Sequence, residues 1–240
     1  ATLCMTYGEY FMIRGFASPP PNPLPPTQQA FYQRAGMQDA QIAQIFDALR
    51  RDPFMPPVPP AYQRLRDGDV LRIGARDWQV VVGEGHSPEH ACLYSASDRI
   101  LIAGDQLLPR ITSNVLVTPI EPEANPLQLW LASLDRLGRL ADGTLVLPSH
   151  QNLFRGLHAR VDELHAHHQQ QFDLLCAALQ RLSPATALEL MQVQFPKRRH
   201  AMDELMAMGE TIAHLSWLRH AGRIRRVLDD DGCHRFMLAA

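Results

Sequence analysis

The stretch GEGHSPEHACLY, residues 83–94, decides how this chain of 240 residues is interpreted. It follows an apolar, β-branched run of the kind that forms strands, so it marks the end of a strand. Two further stretches have the same character, LIAGD at 101–105 and LVLPSH at 145–150. A side chain at the end of a strand can face a cleft, so together they predict a site built from His86, Asp105 and His150.

Two imidazoles and one carboxylate form a set of nitrogen and oxygen donors. Such a set suits Zn²⁺ and, in a site with two ions, also Mn²⁺ or Fe. One histidine at the end of a strand is more often a hydrogen-bonded structural residue, and Gly104-Asp105 alone can be a turn. The three positions together favour a metal site, which the tertiary fold has to assemble because no single loop connects them.

The order of the motifs is G-H-S-P-x-H, then G-D-x-L-L-P, then L-P-S-H. This order resembles the metallo-β-lactamase fold hydrolases, a group that includes glyoxalase II-like thioesterases, lactonases and ribonucleases. The resemblance covers roughly residues 2–179. It implies that His86 binds one metal ion, that Asp105 bridges two ions and that His150 binds the second. It also implies an αβ/βα sandwich with the site along the edge where two sheets meet.

The family's leading signature, H-x-H-x-D-H, does not occur in the sequence, which opens on ATLCMTYGEY. That signature supplies three of the remaining ligands, so we expect the sequence to begin inside the domain and the sandwich to be partial. HAHH at 165–168 resembles the signature superficially. It lies among apolar residues at helical spacing with no strand before it, so we interpret His165, His167 and His168 as part of a polar helix face, with a metal or substrate contact as the alternative.

The resemblance also implies the chemistry, which is hydrolysis by a metal-bound hydroxide. Asp105 would bridge the ions and is a candidate proton acceptor. His90 is a candidate for orienting a metal ligand from outside the coordination sphere, or alternatively for a hydrogen bond to a buried carbonyl. Ser87 and Ser149 flank the ligands but have no histidine base nearby in the sequence, which argues against a serine hydrolase.

The segments around the motifs predict a sheet covered by helices, in the α/β (α+β) class. Besides a short strand-like run within 1–13, strands are expected at 70–73, 78–82, 91–95, 100–103 and 144–147, and helices at 126–140 and over 156–182. Proline-rich stretches at 18–26 and 53–60 flank a helix that begins at Thr27 and is interrupted near Gly36. Residues 18–60 are therefore either a cap-like insert over a cleft or a helix held outside the sandwich by rigid connectors.

Residues 183–240 predict a small C-terminal domain that follows a metallo-β-lactamase-like domain of residues 1–182. Ser183 and Pro184 are expected to cap and begin a helix, with further helices at 200–208 and 210–220. A β-hairpin of 223–228 and 233–238 follows. Three helices and a hairpin resemble a winged helix. Basic and acidic side chains nearly balance in this part, which disfavours nucleic-acid binding and favours packing within the protein or a homodimer.

Composition indicates an ordinary globular enzyme, with 46% hydrophobic and 20% charged residues and a net charge of −2. No apolar run approaches the ~20 residues that span a bilayer, so we expect no membrane partner. The four cysteines form no C-x-x-C pair and indicate reduced thiols in the cytoplasm. We expect a zinc-dependent hydrolase of a small ester, thioester or lactone. An RNA phosphodiesterase or endoribonuclease of the same fold, or a non-catalytic interaction module, are the alternatives.

Overall fold

The computed structural model of the chain describes residues 2–51, 57–197 and 200–239. The strands in this part of the chain are β1 (Cys4–Met5), β2 (Gln63–Arg64), β3 (Val70–Ile73), β4 (Arg76–Gly83), β5 (His90–Ser95), β6 (Ile100–Gly104), β7 (Leu145–Pro148), β8 (Ile224–Leu228) and β9 (His234–Leu238). The helices are α1 (Tyr7–Phe16), α2 (Pro26–Arg34), α3 (Asp39–Arg51), α4 (Pro126–Leu137), α5 (Leu157–Leu182), α6 (Ala187–Gln194) and α7 (Ala201–His220). Within the described ranges no helix is both long enough and apolar enough to cross a bilayer.

The motif-bearing strands form one five-stranded sheet in the order β3-β4-β5-β6-β7. The first four strands are antiparallel neighbours, and β7 lies parallel to β6. The β3–β4 hairpin closes with a two-residue turn, because Ile73 pairs with Arg76. Gly74 adopts φ +61° in that turn, which a two-residue hairpin of this handedness requires. The five strands expected from alternation and apolar runs are confirmed to within two residues.

The short strand-like run expected within residues 1–13 is the two-residue strand β1. Tyr7 begins the helix α1 directly after this strand. Tyr10 is buried, its ring stacks on Tyr62, and its hydroxyl donates to the Pro59 carbonyl oxygen over 2.9 Å. Tertiary packing outweighs the β preference of Tyr and Phe here.

Contacts divide the chain into two compact units. The first comprises residues 1–17, 57–115 and 128–167, and its core includes Val80, Leu101, Trp130, Leu134, Val146 and Leu164. The second comprises residues 18–56, 116–127 and 168–240, and its core includes Leu175, Leu179, Leu190, Met191 and Leu215. Each such side chain contributes about 1.5–3 kcal/mol by leaving water. The domain bounds 1–182 and 183–240 stay a prediction.

The proline-flanked segment forms α2 and α3, with the expected interruption at Gly36, which adopts φ +98°. Both helices belong to the second unit, where the Leu188 amide donates to the Ala35 carbonyl oxygen over 2.9 Å. The second proline-rich stretch, 53–60, lies partly outside the described residues. A cap function for residues 18–60 stays a prediction.

The helices expected after residue 182 are wrong in number and in their start. The first, α6, begins at Ala187 rather than at Pro184, and the two expected helices at 200–208 and 210–220 are the single helix α7. Gly209 lies within α7 without interrupting it. A Cβ on Gly209 would lie 3.1 Å from Leu116 Cβ, so the glycine allows this segment to approach the helix closely. The hairpin β8–β9 is confirmed, with Ile224 opposite Leu238. The winged-helix resemblance stays a prediction. In the described residues after 182 it would rest on the two helices α6 and α7 in place of the three that were expected.

The HAHH segment lies on α5, as expected, but the polar helix face is wrong for one of its histidines. His165 is partly exposed, with Nε2 2.8 Å from an Asp135 carboxylate oxygen. His168 is 1% exposed and its Nδ1 lies 3.0 Å from His214 Nε2. The reason is spacing, because His168 lies four residues from both Leu164 and Phe172 and so shares their apolar stripe.

The capping of α6 can be tested by substitution. Thr186 Oγ1 accepts from the Glu189 amide and the Glu189 carboxylate accepts from the Thr186 amide, at 3.2 and 2.7 Å. We expect Thr186→Ala to lower the free energy of unfolding by about 1 kcal/mol, measured by urea denaturation. The control is Ser183→Ala, at the exposed position that the sequence had favoured as the cap. An equal loss in both variants would contradict a cap at Thr186.

The stability of the second unit should depend on pH through Glu210 of α7. Burial raises the pKa of the Glu210 carboxyl from 4.5 to about 7. The folded state therefore holds this proton more tightly than the unfolded chain does. The proton's contribution to the stability of the fold is complete below pH 4.5 and is lost as the pH rises towards 7. We expect Glu210→Gln to remove a dependence of the unfolding free energy on pH of at most about 1.4 kcal/mol per pH unit. The control is Glu121→Gln, at an exposed carboxylate, which should leave the pH dependence measured by urea denaturation unchanged. An unchanged pH dependence in Glu210→Gln as well would contradict a role for Glu210.

Candidate metal centre

Strand direction brings the three predicted metal ligands to one edge of the sheet. Strands β4 and β6 are each antiparallel to β5, and β7 is parallel to β6, so β4, β6 and β7 all point the same way. His86, Asp105 and His150 each follow the end of one of these strands. The Asp105 carboxylate is the centre of the group, with Oδ1 3.3 Å from His150 Nε2 and Oδ2 3.7 Å from His86 Nε2.

The His86 ring is oriented by the backbone. Its Nδ1 lies 2.8 Å from the Asn114 carbonyl oxygen, which can only accept, so Nδ1 carries the proton and donates. The lone pair is then on Nε2, which faces Asp105, and this is the tautomer that a metal-binding histidine needs. Burial, with a smaller contribution from His90, lowers the pKa of His86 against the opposing effects of Asn114 and Asp105. The imidazole is therefore neutral near pH 7 and able to bind an ion.

The Asp105 carboxylate has the properties of a ligand. Oδ1 is buried, and no donor in the described part of the chain hydrogen-bonds to it. A buried carboxylate oxygen that accepts no hydrogen bond is costly, which favours a cation there. Two atoms bound at ~2.0–2.2 Å to one tetrahedral ion lie about 3.3–3.6 Å apart. The separations from Asp105 to His150 and to His86 are close to that range, so the donors fit divalent ions.

The two histidines do not converge on a single point. Among the residues that the structure describes, no three His, Cys, Asp or Glu side chains are arranged to hold one ion. His86 and His150 instead face different oxygens of Asp105, so the arrangement fits two ion positions that share this carboxylate. Zinc is usually four-coordinate, so each position would need donors besides the two that this group offers.

His90 forms a buried contact that sequence reasoning missed. Its Nδ1 lies 2.7 Å from Oε1 of Glu9 on α1, and Ser87 Oγ donates to the same oxygen over 2.7 Å. Burial tends to raise the pKa of Glu9, but the hydrogen bonds and charge of His90, with Ser87, lower it overall. The sequence carries no signal for Glu9, because this residue belongs to no motif and lies 81 residues from His90.

Glu9, His90 and Ser87 do not form a catalytic serine site. A serine triad needs the serine and the carboxylate on opposite nitrogens of the imidazole. Here Ser87 Oγ, at 3.3 Å, and Glu9 both face Nδ1 of His90. Ser87 is also 4% exposed, which leaves no access for a substrate. The group is therefore a buried hydrogen-bonded support, and a role for His90 in orienting a ligand stays a prediction.

The support reaches Asp105 through Gly104. A Cβ on Gly104 would lie 2.3 Å from His90 Nε2, so the imidazole occupies the space that any other residue would need. Gly104 adopts φ +54°, and its carbonyl oxygen accepts from the Ser149 amide over 3.0 Å. The backbone before Asp105 is thus connected both to His90 and to the residue that precedes His150.

Two protein-family models match the chain. Residues 15–150, more than half of the chain and inclusive of all three motifs, match the family described as Metallo-beta-lactamase superfamily. The chain belongs to the metallo-beta-lactamase superfamily. Residues 172–239 match the family described as Metallo-beta-lactamase-like, C-terminal domain. The resemblance expected from the sequence is confirmed.

Solved structures of the superfamily have the same fold. A beta-lactamase domain protein from Burkholderia ambifaria is 40% identical, with a TM-score of 0.89 over 100% of this chain and 67% of its own. A metallo-beta-lactamase family protein from Thermus thermophilus is 29% identical, with a TM-score of 0.79 over 99% of this chain and 72% of its own. The mixed α/β class is confirmed.

Curated relatives in the superfamily are named as hydrolases. An acyl-coenzyme A thioesterase from Gallus gallus is 34% identical over 42% of this chain. A hydroxyacylglutathione hydrolase from Yersinia enterocolitica is 33% identical over 35% of this chain. The matches span only 35% and 30% of those proteins' own length. This metallo-beta-lactamase superfamily chain is therefore related to proteins that are named as hydrolases.

The contact between Gly104 and His90 can be tested with a matched pair of glycines. Gly74 has a similar φ of +61°, but nothing lies within 4 Å of a Cβ built on it. We expect Gly74→Ala to cost about 1 kcal/mol of unfolding free energy through backbone strain alone. Gly104→Ala should cost about 1–3 kcal/mol more, because the methyl group overlaps the imidazole. Equal losses on urea denaturation would contradict the close contact.

Proposed function

We propose that the chain carries the metal-binding edge of a metal-dependent hydrolase, with His86, Asp105 and His150 as ligands. The observation that carries the proposal is the Asp105 carboxylate, whose two oxygens face two histidine Nε2 atoms at 3.3 and 3.7 Å. Imidazole and carboxylate donors suit Zn²⁺, with Mn²⁺ or Fe as alternatives. Because the histidines do not share a point, two ions per complete site are proposed.

The proposed reaction is hydrolysis, which is what the curated relatives are named for. When bound, divalent ions lower the pKa of a coordinated water and polarise the bond that is attacked. The chain's own residues hold the geometry. His86 is fixed in one tautomer by Asn114, and Asp105 provides a negative charge between the two imidazoles. The Asp105 carboxylate, which lies between the two imidazoles, is the group proposed to accept a proton from the attacking water.

The proposed substrates are small esters, thioesters or lactones. The relative named as an acyl-coenzyme A thioesterase makes a thioester the first substrate to test. The alternative RNA phosphodiesterase has no support from charge, because the chain has a net charge of −2. A small-molecule substrate, a homodimer and a cytoplasmic location stay predictions.

The proposal can be tested with Asp105→Asn in the full-length protein. The amide keeps the shape of the side chain and removes the charge that two ions would share. Loss of a partner outside the coordination sphere typically costs 10–100-fold, so loss of a direct ligand should lower thioester hydrolysis by more than about a hundredfold. Zinc and manganese content by elemental analysis should fall together with turnover.

His167→Ala is the matched control, because it removes a histidine from the HAHH segment. Both metal content and turnover should be unchanged in this variant. Unchanged turnover in Asp105→Asn would remove Asp105 from the mechanism. A wild-type protein with neither metal nor activity would support the non-catalytic interaction module instead.

A further inference from the structure

The second unit contains a cavity that the proposed hydrolysis does not use. Its volume is about 410 Å³, within the range of 300–1,000 Å³ that is usual for small-molecule sites. It is lined by residues of α2, α7, β8 and β9 and by the segment 119–123, all of which belong to this one unit.

The walls of the cavity are largely apolar. Phe31 of α2, Ile212 of α7 and Phe236 of β9 contribute side chains, and Pro119 and Pro122 contribute two rigid rings. Phe236 is 5% exposed, so its ring is fixed by the surrounding core. Aromatic and aliphatic walls of this kind favour the apolar body of a ligand.

One acidic side chain lines the cavity, and it is already fully paired. Glu123 Oε1 lies 2.7 Å from a guanidinium nitrogen of Arg226, and Glu123 Oε2 lies 2.8 Å from one of Arg219. Two guanidinium groups share a single carboxylate, so this network keeps one positive charge in excess. An excess of positive charge around a cavity favours a ligand of opposite sign.

A second positive charge comes from Arg34 at the end of α2. Its side chain lines the same cavity and is exposed to solvent, and within the described ranges it forms no ion pair with a carboxylate. Arg34 and Arg226 therefore offer guanidinium donors to one ligand, and the planar guanidinium is well matched to a carboxylate.

His234 of β9 adds a neutral donor to the same wall. It is half-buried, and its ring makes no hydrogen bond to any other described residue. Burial, together with the positive charges of Arg226 and Arg34, lowers the pKa of His234 to about 4. The imidazole is therefore neutral near pH 7, and its N–H is available to an oxygen acceptor.

We propose that this cavity binds a small amphipathic monocarboxylate, with its apolar body against Phe31, Ile212 and Phe236 and its carboxylate near Arg34 and Arg226. Cations are disfavoured by the surplus of arginines. A neutral apolar molecule would gain nothing from the guanidinium groups of Arg34 and Arg226. This inference is independent of the proposed hydrolase function, because it rests on residues of the second unit alone.

Octanoate is the probe, titrated into the full-length protein by isothermal titration calorimetry. Arg34→Gln removes one charge without breaking a described ion pair, so the fold should be retained. We expect it to weaken octanoate binding about tenfold, as the loss of one charge-assisted hydrogen bond would. Arg181→Gln is the matched control, because Arg181 is an exposed arginine of the same unit that does not line the cavity.

Two comparison ligands separate the parts of the proposal. Octan-1-ol has the apolar body without the charge, and inorganic phosphate has charge without the body. Both should bind at least about tenfold more weakly than octanoate. Equal binding of octanol would overturn the role of the arginines, and equal binding of phosphate would overturn the role of the apolar walls.

Nuclear magnetic resonance of the His234 ring tests whether octanoate binds in this cavity. Octanoate should shift its carbon-bound proton signals at pH 7, and the shift should need a higher concentration in Arg34→Gln. Binding without any change at His234, or binding equally strong in wild type and Arg34→Gln, would overturn the proposal. Absence of octanoate binding at millimolar concentration would overturn it as well.

Discussion

The candidate site depends on the direction of three strands. Because β5 runs against both β4 and β6, and β7 runs with β6, the residues after β4, β6 and β7 share one sheet edge. Asp105 follows the middle strand of these three, and the two histidines reach it from either side. If one strand were shifted by a single residue, its side chains would turn to the opposite face and the group would not form.

The edge is supported by a buried polar contact rather than by apolar packing alone. Glu9 fixes His90, and the His90 ring occupies the space beside Gly104, so the backbone that leads into Asp105 has little freedom. Buried polar groups stabilise a unique geometry only when they are paired, and the Glu9–His90 pair meets this condition on the Nδ1 side. A site that shares one carboxylate between two positions needs this degree of positional control.

Much of this arrangement could be predicted from the sequence, since the strands around His86, Asp105 and His150 follow simple patterns of apolar runs and turns. Glu9 could not be predicted, because its partner is far away in the chain and Tyr7 to Ile13 also fits a strand. The buried position of His168 was within reach, as it lies at helical spacing from Leu164 and Phe172. The cap at Thr186 could not be predicted, because Ser183 is an equally suitable residue type. The structure decides between them, since α6 begins at Ala187.

The two units carry polar groups of opposite character. Asp105 in the first provides a negative centre that suits cations, and the arginines around Glu123 in the second provide a positive one that suits an anion. In both cases side chains that the sequence separates widely become close through the fold. This is why chemical type could be anticipated at Asp105, which follows a recognisable strand, but not at Arg34 or His234, which follow no motif.

The most direct test of the account is a crystal structure of the full-length protein with zinc, with anomalous diffraction recorded at the zinc absorption edge. The account predicts two anomalous peaks beside Asp105, each about 2 Å from one of its oxygens, with His86 Nε2 on one and His150 Nε2 on the other. No peak beside Asp105, or peaks at the histidines of α5 instead, would contradict it.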